Sequence, residues 1–520
     1  MSATVPSPAG AHPATARARA LPGWWPLAAL VILAAALRFS TLGLQSFWYD
    51  EAFTPVHVLH PGLGATLHSV LHTENTPPLW YVLIWAWSRV FGTGAIALRL
   101  PSALFGVASV PVAWAIGREL EGPPTRRATA IAAGAFVAVN PLFVWYSQEA
   151  RAYALFVLMA ALAMLCFLRA LHEPTGRRLA AFAVSASLAL LSHYFAAFLL
   201  APMIVMLLLG DRIPGLRGDR SREGEDRGRG ARLLACGAVV LVGLALLPLA
   251  FAQGGHGAQW IGQWALTSRL QAIPQYYLTG YMGAPLGHGI ELLLALPIIA
   301  GLGWGLWSVL ERREERGALI ALTIAASGVL LPIVPIAFGA DYLAPRNLVA
   351  AMIPVSALIA VVVTARRAGR TGTALAALIA VGALAITIDV DLSPRLQRGD
   401  WRGVADVLRG TANNKRVITT VELGAAPLEY YLPPLHNLAR GASVTVSEID
   451  ETGYAPLKAS AGSPPAPGFQ LLSRDDVNGL IVYRFRSATP RTVSEATLRR
   501  HVITLAHPEV LVPAGMQVSP

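Results

Sequence analysis

The chain has 520 residues, of which 54% are hydrophobic and only 14% are charged. Soluble globular proteins carry about 25% charged residues, so this composition excludes a fold that exposes most of its surface to water. The net charge is +11, but the arginines fall in short gaps between apolar stretches, as they do in membrane proteins. We therefore expect an integral membrane protein surrounded by the lipid bilayer, with no nucleic-acid partner.

Eleven apolar stretches are candidates for spanning helices, each of which needs about 20 mainly apolar residues. They are residues 24–44, 98–117, 128–146, 152–171, 179–192, 195–210, 233–252, 289–310, 318–338, 348–365 and 373–389. A further apolar stretch, 79–91, is short and follows Pro77-Pro78, so we predict a re-entrant or interfacial helix there. The predicted fold class is an all-α polytopic membrane protein with about 11 transmembrane helices.

The arginines predict the orientation of these helices, because cytoplasmic loops of membrane proteins are enriched in positive charge. Six segments hold 20 arginines: the N-terminus and residues 118–127, 172–178, 211–232, 311–317 and 366–372. The loops between them, which lie on the opposite side of the membrane in this topology, hold four arginines before residue 390. We therefore predict a multi-pass protein of the plasma (inner) membrane with a cytoplasmic N-terminus, residues 1–23 being disordered, and an extracytoplasmic C-terminus.

From about residue 391 the composition becomes that of a soluble domain. We predict helices at Asp400–Leu408 and Val493–Val502, and strands at Arg416–Val421, Ala442–Glu448 and Gly479–Arg486. About 130 residues are enough to bury a core of their own. The sequence thus predicts a transmembrane domain over 24–390 and a small extracytoplasmic α/β domain over 391–520.

The predicted outer loops collect polar side chains at one membrane face. Those that can carry chemistry are Asp50, Glu51, His72, Glu74, Gln148, Glu149, Arg151, Tyr153, His193, Tyr194 and Arg346. The outer loop 253–288 adds tryptophans and tyrosines, which suit either stacking on sugar rings or anchoring at the lipid interface. A site on the extracytoplasmic side is therefore expected.

Asp50 and Glu51 directly follow the first predicted helix and have aromatic and apolar neighbours. Partial burial raises the proton affinity of a carboxylate toward neutral pH, which suits a general base. A loop acid that merely ends the helix fits the same pattern. The spacing alone leaves both interpretations open.

Glu149 and Arg151 lie between two predicted spans, where ionisable groups usually face a cavity or a partner. The arginine can hold a phosphate through two parallel hydrogen bonds, or it can form a local pair with Glu149 at the interface. Arg38 and Arg99 lie inside apolar stretches, and snorkelling toward the headgroups explains either one alone. Arg99 is also a candidate contact for a donor phosphate.

His72, Glu74 and His193 raise the question of a metal site. No close ligand spacing such as H-E-x-x-H supports one, and loop histidines also serve as ordinary hydrogen-bonding residues. No cofactor follows from the sequence, and the use of a divalent metal stays open.

Four motifs in order resemble those of the GT-C glycosyltransferases, in particular the protein O-mannosyltransferase and aminoarabinose transferase (ArnT-like) group. They are Phe47–Ala52, Glu74–Tyr81, Arg99–Gly106 and Tyr146–Tyr153. The resemblance covers roughly residues 24–210, and weakly the rest through Arg346 and Asp400-Trp401-Arg402. The sequence departs from the group at Thr76, where a His or Asp usually precedes the two prolines.

The resemblance implies a GT-C fold and an enzyme that moves a sugar from a polyprenyl-phosphate donor to an extracytoplasmic glycan, lipid or protein. It implies Asp50 as the base, with Glu51 orienting it or contacting the acceptor. The chemistry agrees, because a polyprenyl phosphate is already a good leaving group. The reaction then needs only a base and cations, for which Arg99, Arg151 and Arg346 are candidates. We expect inversion by a single displacement.

Two functions of other classes compete with this interpretation. A transporter or flippase of lipid-linked sugars would need the same cavity and lipid ligand, although transporters usually show internal repeats and charges at the membrane midplane. A non-catalytic scaffold for envelope assembly is the third possibility. The pairing of Asp50-Glu51 with Gln148–Arg151 argues against the scaffold.

Overall fold

The structure is a computed structural model that describes residues 24–121, 127–209, 225–255, 259–281, 303, 312–409, 415–504 and 507–519. The predicted disordered N-terminus 1–23 lies outside the described residues. So do the predicted span 289–310, apart from residue 303, and parts of the basic segments 118–127, 211–232 and 311–317.

The first half of the chain is helical. The helices are α1 (Trp25–Phe39), α2 (Tyr49–Phe53), α3 (Leu63–Thr73), α4 (Leu79–Phe91), α5 (Ala95–Glu121), α6 (Ala128–Val139), α7 (Pro141–Ser147), α8 (Tyr153–His172), α9 (Gly176–Ser192) and α10 (Ala196–Leu209). A π-helical turn, Thr54–Val58, continues α2. The predicted re-entrant or interfacial segment 79–91 is the helix α4, with the same bounds.

The second half of the transmembrane region is also helical. It contains α11 (Glu225–Ala252), α12 (Gln259–Gln263), α13 (Leu266–Thr279), α14 (Arg312–Leu330), α15 (Met352–Val363) and α16 (Gly369–Leu392). Short 3-10 helices cover Leu331–Phe338, Pro345–Ala351, Arg366–Ala368 and Pro394–Leu396. The second of these, Pro345–Ala351, carries Arg346.

Six helical segments of the described chain are long and apolar enough to cross a membrane, and a seventh arises if α6 and α7 count as one span bent by 54°. The helices α1, α4 and α10 are apolar but shorter. The chain is therefore a polytopic helical membrane protein, as predicted. The count of eleven spans stays a prediction.

The bend between α6 and α7 follows from Asn140-Pro141. Proline at the first position of a helix fits because its missing N–H would have no partner there. The Asn140 side chain accepts hydrogen bonds from the backbone N–H groups of Leu142 (3.0 Å) and Phe143 (3.3 Å), which caps α7. The break ends the apolar span early and presents residues 148–152 as a buried connection to α8.

Close approach of α5 to its neighbours depends on glycine. A Cβ atom on Gly117 would lie 2.8 Å from the backbone of Ala130 on α6, and one on Gly106 would lie 2.0 Å from the Ser147 hydroxyl on α7. Real Cβ atoms do not come this close to other atoms, so α5 packs against α6 and α7 at distances that only glycine permits.

The C-terminal region is an α/β domain, as predicted. Its elements are α17 (Trp401–Arg409), β1 (Arg416–Val421), α18 (Glu422–Tyr431), β2 (Leu435–Asn437), β3 (Ser443–Tyr454), β4 (Gln470–Val477), β5 (Leu480–Ser494), α19 (Glu495–Arg500), β6 (Pro508–Pro513) and β7 (Val518–Ser519). The strand order is β2-β6-β1-β3-β5-β4, with β7 beside β3. Among the described strands, only the β1–β3 pair is parallel.

This domain lies against the first loop of the membrane domain. The Ser46 hydroxyl donates to the Gly399 carbonyl (2.8 Å), and the Phe47 N–H donates to the Tyr431 hydroxyl (2.8 Å). Tyr430 on α18 donates to the Thr93 carbonyl between α4 and α5 (3.1 Å). The C-terminal domain therefore helps to hold the loop that carries α2.

Candidate active site

Asp50 and Arg346 form an ion pair that is partly open to solvent. Arg346 Nη1 donates to Asp50 Oδ2 at 2.7 Å, and the side chains of Arg346 and Asp50 are 18% and 19% exposed, respectively. Asp50 lies in the short helix α2, whereas Arg346 comes from a helix almost 300 positions later in the chain. The fold therefore places a carboxylate beside a cation at an accessible position.

Glu51, the next residue, has a different environment. Its carboxylate is fully buried and accepts two hydrogen bonds from Arg99, from Nε and Nη2, each at 2.6 Å. It also accepts one from the Ala150 backbone N–H at 2.9 Å. A carboxylate so surrounded by donors is held in one place, and both of its oxygens are already occupied.

Arg99 uses its remaining N–H groups on the loop before α2. They donate to the carbonyls of Leu42 (3.1 Å), Gln45 (2.7 Å) and Ser46 (3.0 Å). All five donors of the guanidinium are thus used, and the side chain is 1% exposed. Neither snorkelling nor the expected donor-phosphate contact fits this arrangement. Arg99 instead fixes the loop and Glu51.

Snorkelling is also wrong for Arg38. Its side chain is fully buried, and its guanidinium donates to the Ala138 carbonyl at 2.8 Å, to the Val137 carbonyl at 3.1 Å and to the Ser147 hydroxyl at 3.1 Å. These acceptors lie at the break between α6 and α7 and at the end of α7. Arg38 therefore ties α1 to the bent span, because the break frees carbonyls that need donors.

Arg151 pairs with Glu74 and not with Glu149, so the alternative of a local Glu149–Arg151 pair is wrong. Its Nη1 and Nη2 donate to the two carboxylate oxygens of Glu74 at 3.2 and 2.8 Å. Tyr81 donates to the same carboxylate at 2.5 Å. Arg151 also donates to the Asp50 carbonyl at 3.4 Å, which places its positive charge next to α2.

Gln148 and Glu149 are buried in the connection between α7 and α8. The Gln148 amide donates to the Thr41 hydroxyl (2.6 Å) and to the Leu37 carbonyl (3.0 Å) at the end of α1. Glu149 Oε2 accepts from Arg398 Nη2 at 3.1 Å. Burial is the main reason why the pKa of Glu149 rises to about 7, despite the opposing charge of Arg398. Gln148 is thus structural, while Glu149 is a titratable group of the site.

Sequence reasoning missed Arg398. The residue precedes the Asp400-Trp401-Arg402 segment that was singled out, in a linker where an arginine looks like an ordinary surface charge. Its side chain is nevertheless 2% exposed and lies 4.0 Å from the Trp145 ring centroid. The one available signal was its position at the junction of the two predicted domains.

The two predicted histidines behave differently. His193 is buried between α9 and α10, its Nδ1 accepts from the Phe195 N–H (3.2 Å), and burial lowers its pKa to about 3. His72 is exposed on α3 and hydrogen-bonds through Nδ1 to the His68 carbonyl (2.8 Å). His193 is therefore a neutral hydrogen-bonding group, whereas His72 is an exposed residue whose hydrogen bond lies within its own helix.

The described residues contain no group of three or more His, Cys, Asp or Glu side chains arranged to hold a metal ion. His72, Glu74 and His193 therefore do not form a set of metal ligands in this fold. Each of the three has other hydrogen-bond partners.

Aromatic side chains cover the buried charges. Tyr281 stacks on Trp145 with ring centroids 5.3 Å apart and lies 6.1 Å from Trp48. Tyr153 lies 4.6 Å from Tyr146, and Tyr194 donates to Gln253 at 2.7 Å. Tyr281, from the aromatic loop of the sequence, therefore packs on Trp145, the ring that Arg398 also contacts.

Comparison with known proteins shows what this arrangement is similar to. The model of the family described as dolichyl-phosphate-mannose-protein mannosyltransferase matches residues 75–216. Among solved structures, ArnT from Cupriavidus metallidurans bound to undecaprenyl phosphate is 13% identical, with a TM-score of 0.51, over 89% of this chain and 98% of that one. No curated protein matches the chain.

Two further structures are similar over part of their length. The Archaeoglobus fulgidus oligosaccharyltransferase, in complex with Zn and sulfate, is 16% identical with a TM-score of 0.45 over 78% of this chain. The Saccharomyces cerevisiae protein O-mannosyltransferase Pmt1-Pmt2 complex bound to the sugar donor is 17% identical with a TM-score of 0.34 over 44% of this chain. The chain spans 57% and 33% of their lengths.

The family match covers Gln148, Glu149, Arg151 and the helices from α4 to α10. ArnT shares the fold over almost its whole length. The chain is therefore similar to the dolichyl-phosphate-mannose-protein mannosyltransferase family over residues 75–216, and it shares the fold of ArnT.

Proposed function

We propose that the protein transfers a sugar from a polyprenyl-phosphate donor to an acceptor on the extracytoplasmic side of the plasma membrane. The matching family is described by a lipid-phosphate sugar, and the ArnT structure holds undecaprenyl phosphate. The observation that carries the proposal is the accessible Asp50–Arg346 pair among buried charges. It provides a base and a cation side by side, which are the two groups that this reaction requires.

Asp50 is the proposed general base. Its carboxylate takes the proton from an acceptor hydroxyl while the hydroxyl oxygen attacks the anomeric carbon of the sugar. The bond from this carbon to the phosphate oxygen breaks, and its electron pair leaves with the lipid phosphate. Glu51 does not compete for this role because Arg99 and the Ala150 N–H occupy its carboxylate.

Arg346 is the proposed contact of the leaving phosphate. It lies next to Asp50 and is partly exposed, so a phosphate can reach it. Arg151 contributes positive charge next to the Asp50 carbonyl, but both of its terminal nitrogens are engaged by Glu74. The departing phosphate gains negative charge in the transition state, and fixed cations stabilise it there.

A single displacement inverts the anomeric carbon. A β-linked donor therefore gives an α-linked product, which NMR of the isolated product measures directly. A β-linked product from the same donor would contradict direct attack by the acceptor.

The test of function is transfer of a radiolabelled sugar from purified polyprenyl-phosphate donors to membrane acceptors, in the absence of nucleotide sugars. We expect transfer by the wild type and none by Asp50→Asn. Asp406→Asn is the matched control, since Asp406 is an exposed carboxylate on α17 that only pairs with Arg409. Label that crosses the bilayer still attached to its lipid, in the wild type and in Asp50→Asn alike, would instead support a flippase.

We also propose the orientation in which the arginine-rich segments are cytoplasmic and Asp50 faces outward. The test is labelling with a membrane-impermeant maleimide of single cysteines placed at Arg177 and Arg402, after both native cysteines are replaced. Labelling of intact cells is expected only at position 402. Labelling only at position 177 would reverse the topology.

A further inference from the structure

Arg398 joins the linker before the C-terminal domain to the interior of the membrane domain. Its backbone N–H donates to Gln45 Oε1 at 3.0 Å, and its Nη2 donates to the Trp145 carbonyl at 3.3 Å. Its guanidinium lies 4.0 Å from the Trp145 ring centroid, a cation–π contact. The side chain is thus held between the first loop and α7, away from solvent.

Within this space Arg398 lies between two buried carboxylates. Nη2 is 3.1 Å from Glu149 Oε2, and Nε is 3.8 Å from Glu51 Oε2. Glu51 is already bound by Arg99, so Arg398 is the arginine that balances the charge of Glu149. Removing one charge of a buried set is costly, because the remaining charge is left without compensation.

The second oxygen of Glu149, Oε1, is buried and has no hydrogen-bond partner among the described residues. A buried carboxylate oxygen without a donor is unfavourable unless a water or a ligand hydroxyl supplies one. The ionised carboxylate of Glu149 can therefore accept a hydrogen bond from a hydroxyl of the bound sugar or acceptor. Its protonated form loses much of this ability.

We propose that Arg398 is a positioning residue of the transfer reaction, which keeps Glu149 ionised and oriented for substrate. Because Arg398 precedes the C-terminal domain, the state of Glu149 then depends on docking of that domain. This inference rests on the proposed function, since it concerns the same site. The inference extends the proposed site by one residue that lies outside the membrane helices, and it gives the linker that carries Arg398 a role in the reaction.

The charges around Glu149 predict a pH effect. Burial raises the pKa of Glu149 to about 7, Arg398 and Arg346 lower it, and Glu51 and Asp50 raise it. Loss of Arg398 therefore raises this pKa further, so Glu149 takes up its proton at a higher pH. The ionised form is the active one. As the pH is lowered, the rate of a variant without Arg398 therefore begins to fall at a higher pH than the rate of the wild type.

The test is the pH dependence of sugar transfer from a labelled polyprenyl-phosphate donor between pH 5 and 9. One pKa unit corresponds to a tenfold change in the ratio of the two forms. We expect Arg398→Gln to lose about tenfold in rate at pH 6 relative to the wild type, and much less at pH 9. Arg398→Lys keeps the charge, so its profile stays near that of the wild type, and it serves if the Gln variant does not fold.

Two controls separate positioning from general damage. Arg402→Gln removes a nearby arginine at the start of α17, which donates to the Gly43 and Leu44 carbonyls. This variant should leave the profile in place. Glu149→Gln itself should keep only a low residual rate. In that background, Arg398→Gln should no longer shift the pH dependence of the residual rate, because the group that titrates is gone.

An Arg398→Gln variant that loses rate equally at every pH, or that shifts the profile equally in the Glu149→Gln background, would overturn the inference. This failure is distinct from failure of the proposed function. Transfer that survives Asp50→Asn refutes the general base, whatever Arg398 does. An essential Asp50 with an unmoved profile in Arg398→Gln refutes only the role of Arg398.

Discussion

Asp50 and Glu51 are adjacent in the chain, yet the structure predicts opposite consequences when each loses its charge. Glu51→Gln keeps the size of the side chain but removes the negative charge. In the wild type, Arg99 donates a hydrogen bond of 2.6 Å to each oxygen of this carboxylate. Breaking a buried ion pair costs about 3–5 kcal/mol. Asp50→Asn breaks a partly exposed pair, and exposed pairs contribute only about 0–1 kcal/mol.

These free energies translate into measurable differences. A change of 1 kcal/mol shifts Tm by roughly 2–4 °C in a domain of moderate size, so we expect Glu51→Gln to lower the apparent Tm by about 10 °C. Asp50→Asn should stay within about 2 °C of the wild type but lose at least about 100-fold in transfer rate, since general bases contribute about 10²–10⁴-fold. Both are measured on purified protein in detergent, by thermal unfolding and by sugar transfer.

Glu119→Gln is the control for the exchange itself, because Glu119 pairs with Arg169 at an accessible position. It should change neither the Tm nor the rate. The reasoning fails if Glu51→Gln keeps the wild-type Tm and loses its activity as completely as Asp50→Asn. Glu51 would then be a base in its own right and not the anchor of the loop.

Three further predictions concern other parts of the molecule. Arg346→Gln should lower kcat/KM for the donor by roughly 10–100-fold, because a hydrogen bond to a charged group contributes about 1.5–3 kcal/mol; unchanged kinetics would remove Arg346 from the phosphate site. Gly106→Ala should destabilise the protein by about 1–3 kcal/mol, since the added Cβ meets Ser147, whereas Gly64→Ala, with open space around it, should not lower the Tm. Burial raises the pKa of Asp450 to about 7, so the folded state holds a proton that the unfolded state releases between about pH 4 and 7, and stability falls as pH rises through this window. Asp450→Asn removes that loss and should raise the apparent Tm more at pH 8 than at pH 4.5; an equal change at both pH values would contradict the sign.

The membrane helices were predictable because their apolar stretches are long and the charges fall between them. Helix α8, for example, was predicted at 152–171 and covers Tyr153–His172. The break at Asn140-Pro141 was missed, since it lies inside a stretch that is apolar on both sides. The hydrophobic pattern of a sequence indicates which segments are buried. A bend depends instead on local capping hydrogen bonds, which this pattern does not show.

In the C-terminal domain, three strands and two helices were predicted, and the strands β2, β4, β6 and β7 were missed. The strand β4 (Gln470–Val477) is an edge strand with alternating exposure and five polar residues, so it carries little apolar signal. The strand β2 has only three residues. Such strands form because the sheet supplies hydrogen-bond partners, and this is not visible in the segment alone.

For the site, the sequence indicated which residues meet but not which of them pair. Asp50, Glu74, Arg151 and Arg346 were expected at one face, and the fold does bring them to the same loops. The binding of Arg99 to Glu51, and the burial of Arg398, depend on contacts across 48 and 249 positions of chain. Spacing cannot show such pairs, because they follow from tertiary packing.

The most direct test of the central claim is the stoichiometry of the reaction in proteoliposomes that contain only the purified protein, a labelled polyprenyl-phosphate sugar and an acceptor fraction. We predict that one polyprenyl phosphate is released for each sugar transferred, and that both products disappear in Asp50→Asn. A wild-type protein that moves intact donor lipid between leaflets and releases no free polyprenyl phosphate would contradict the account.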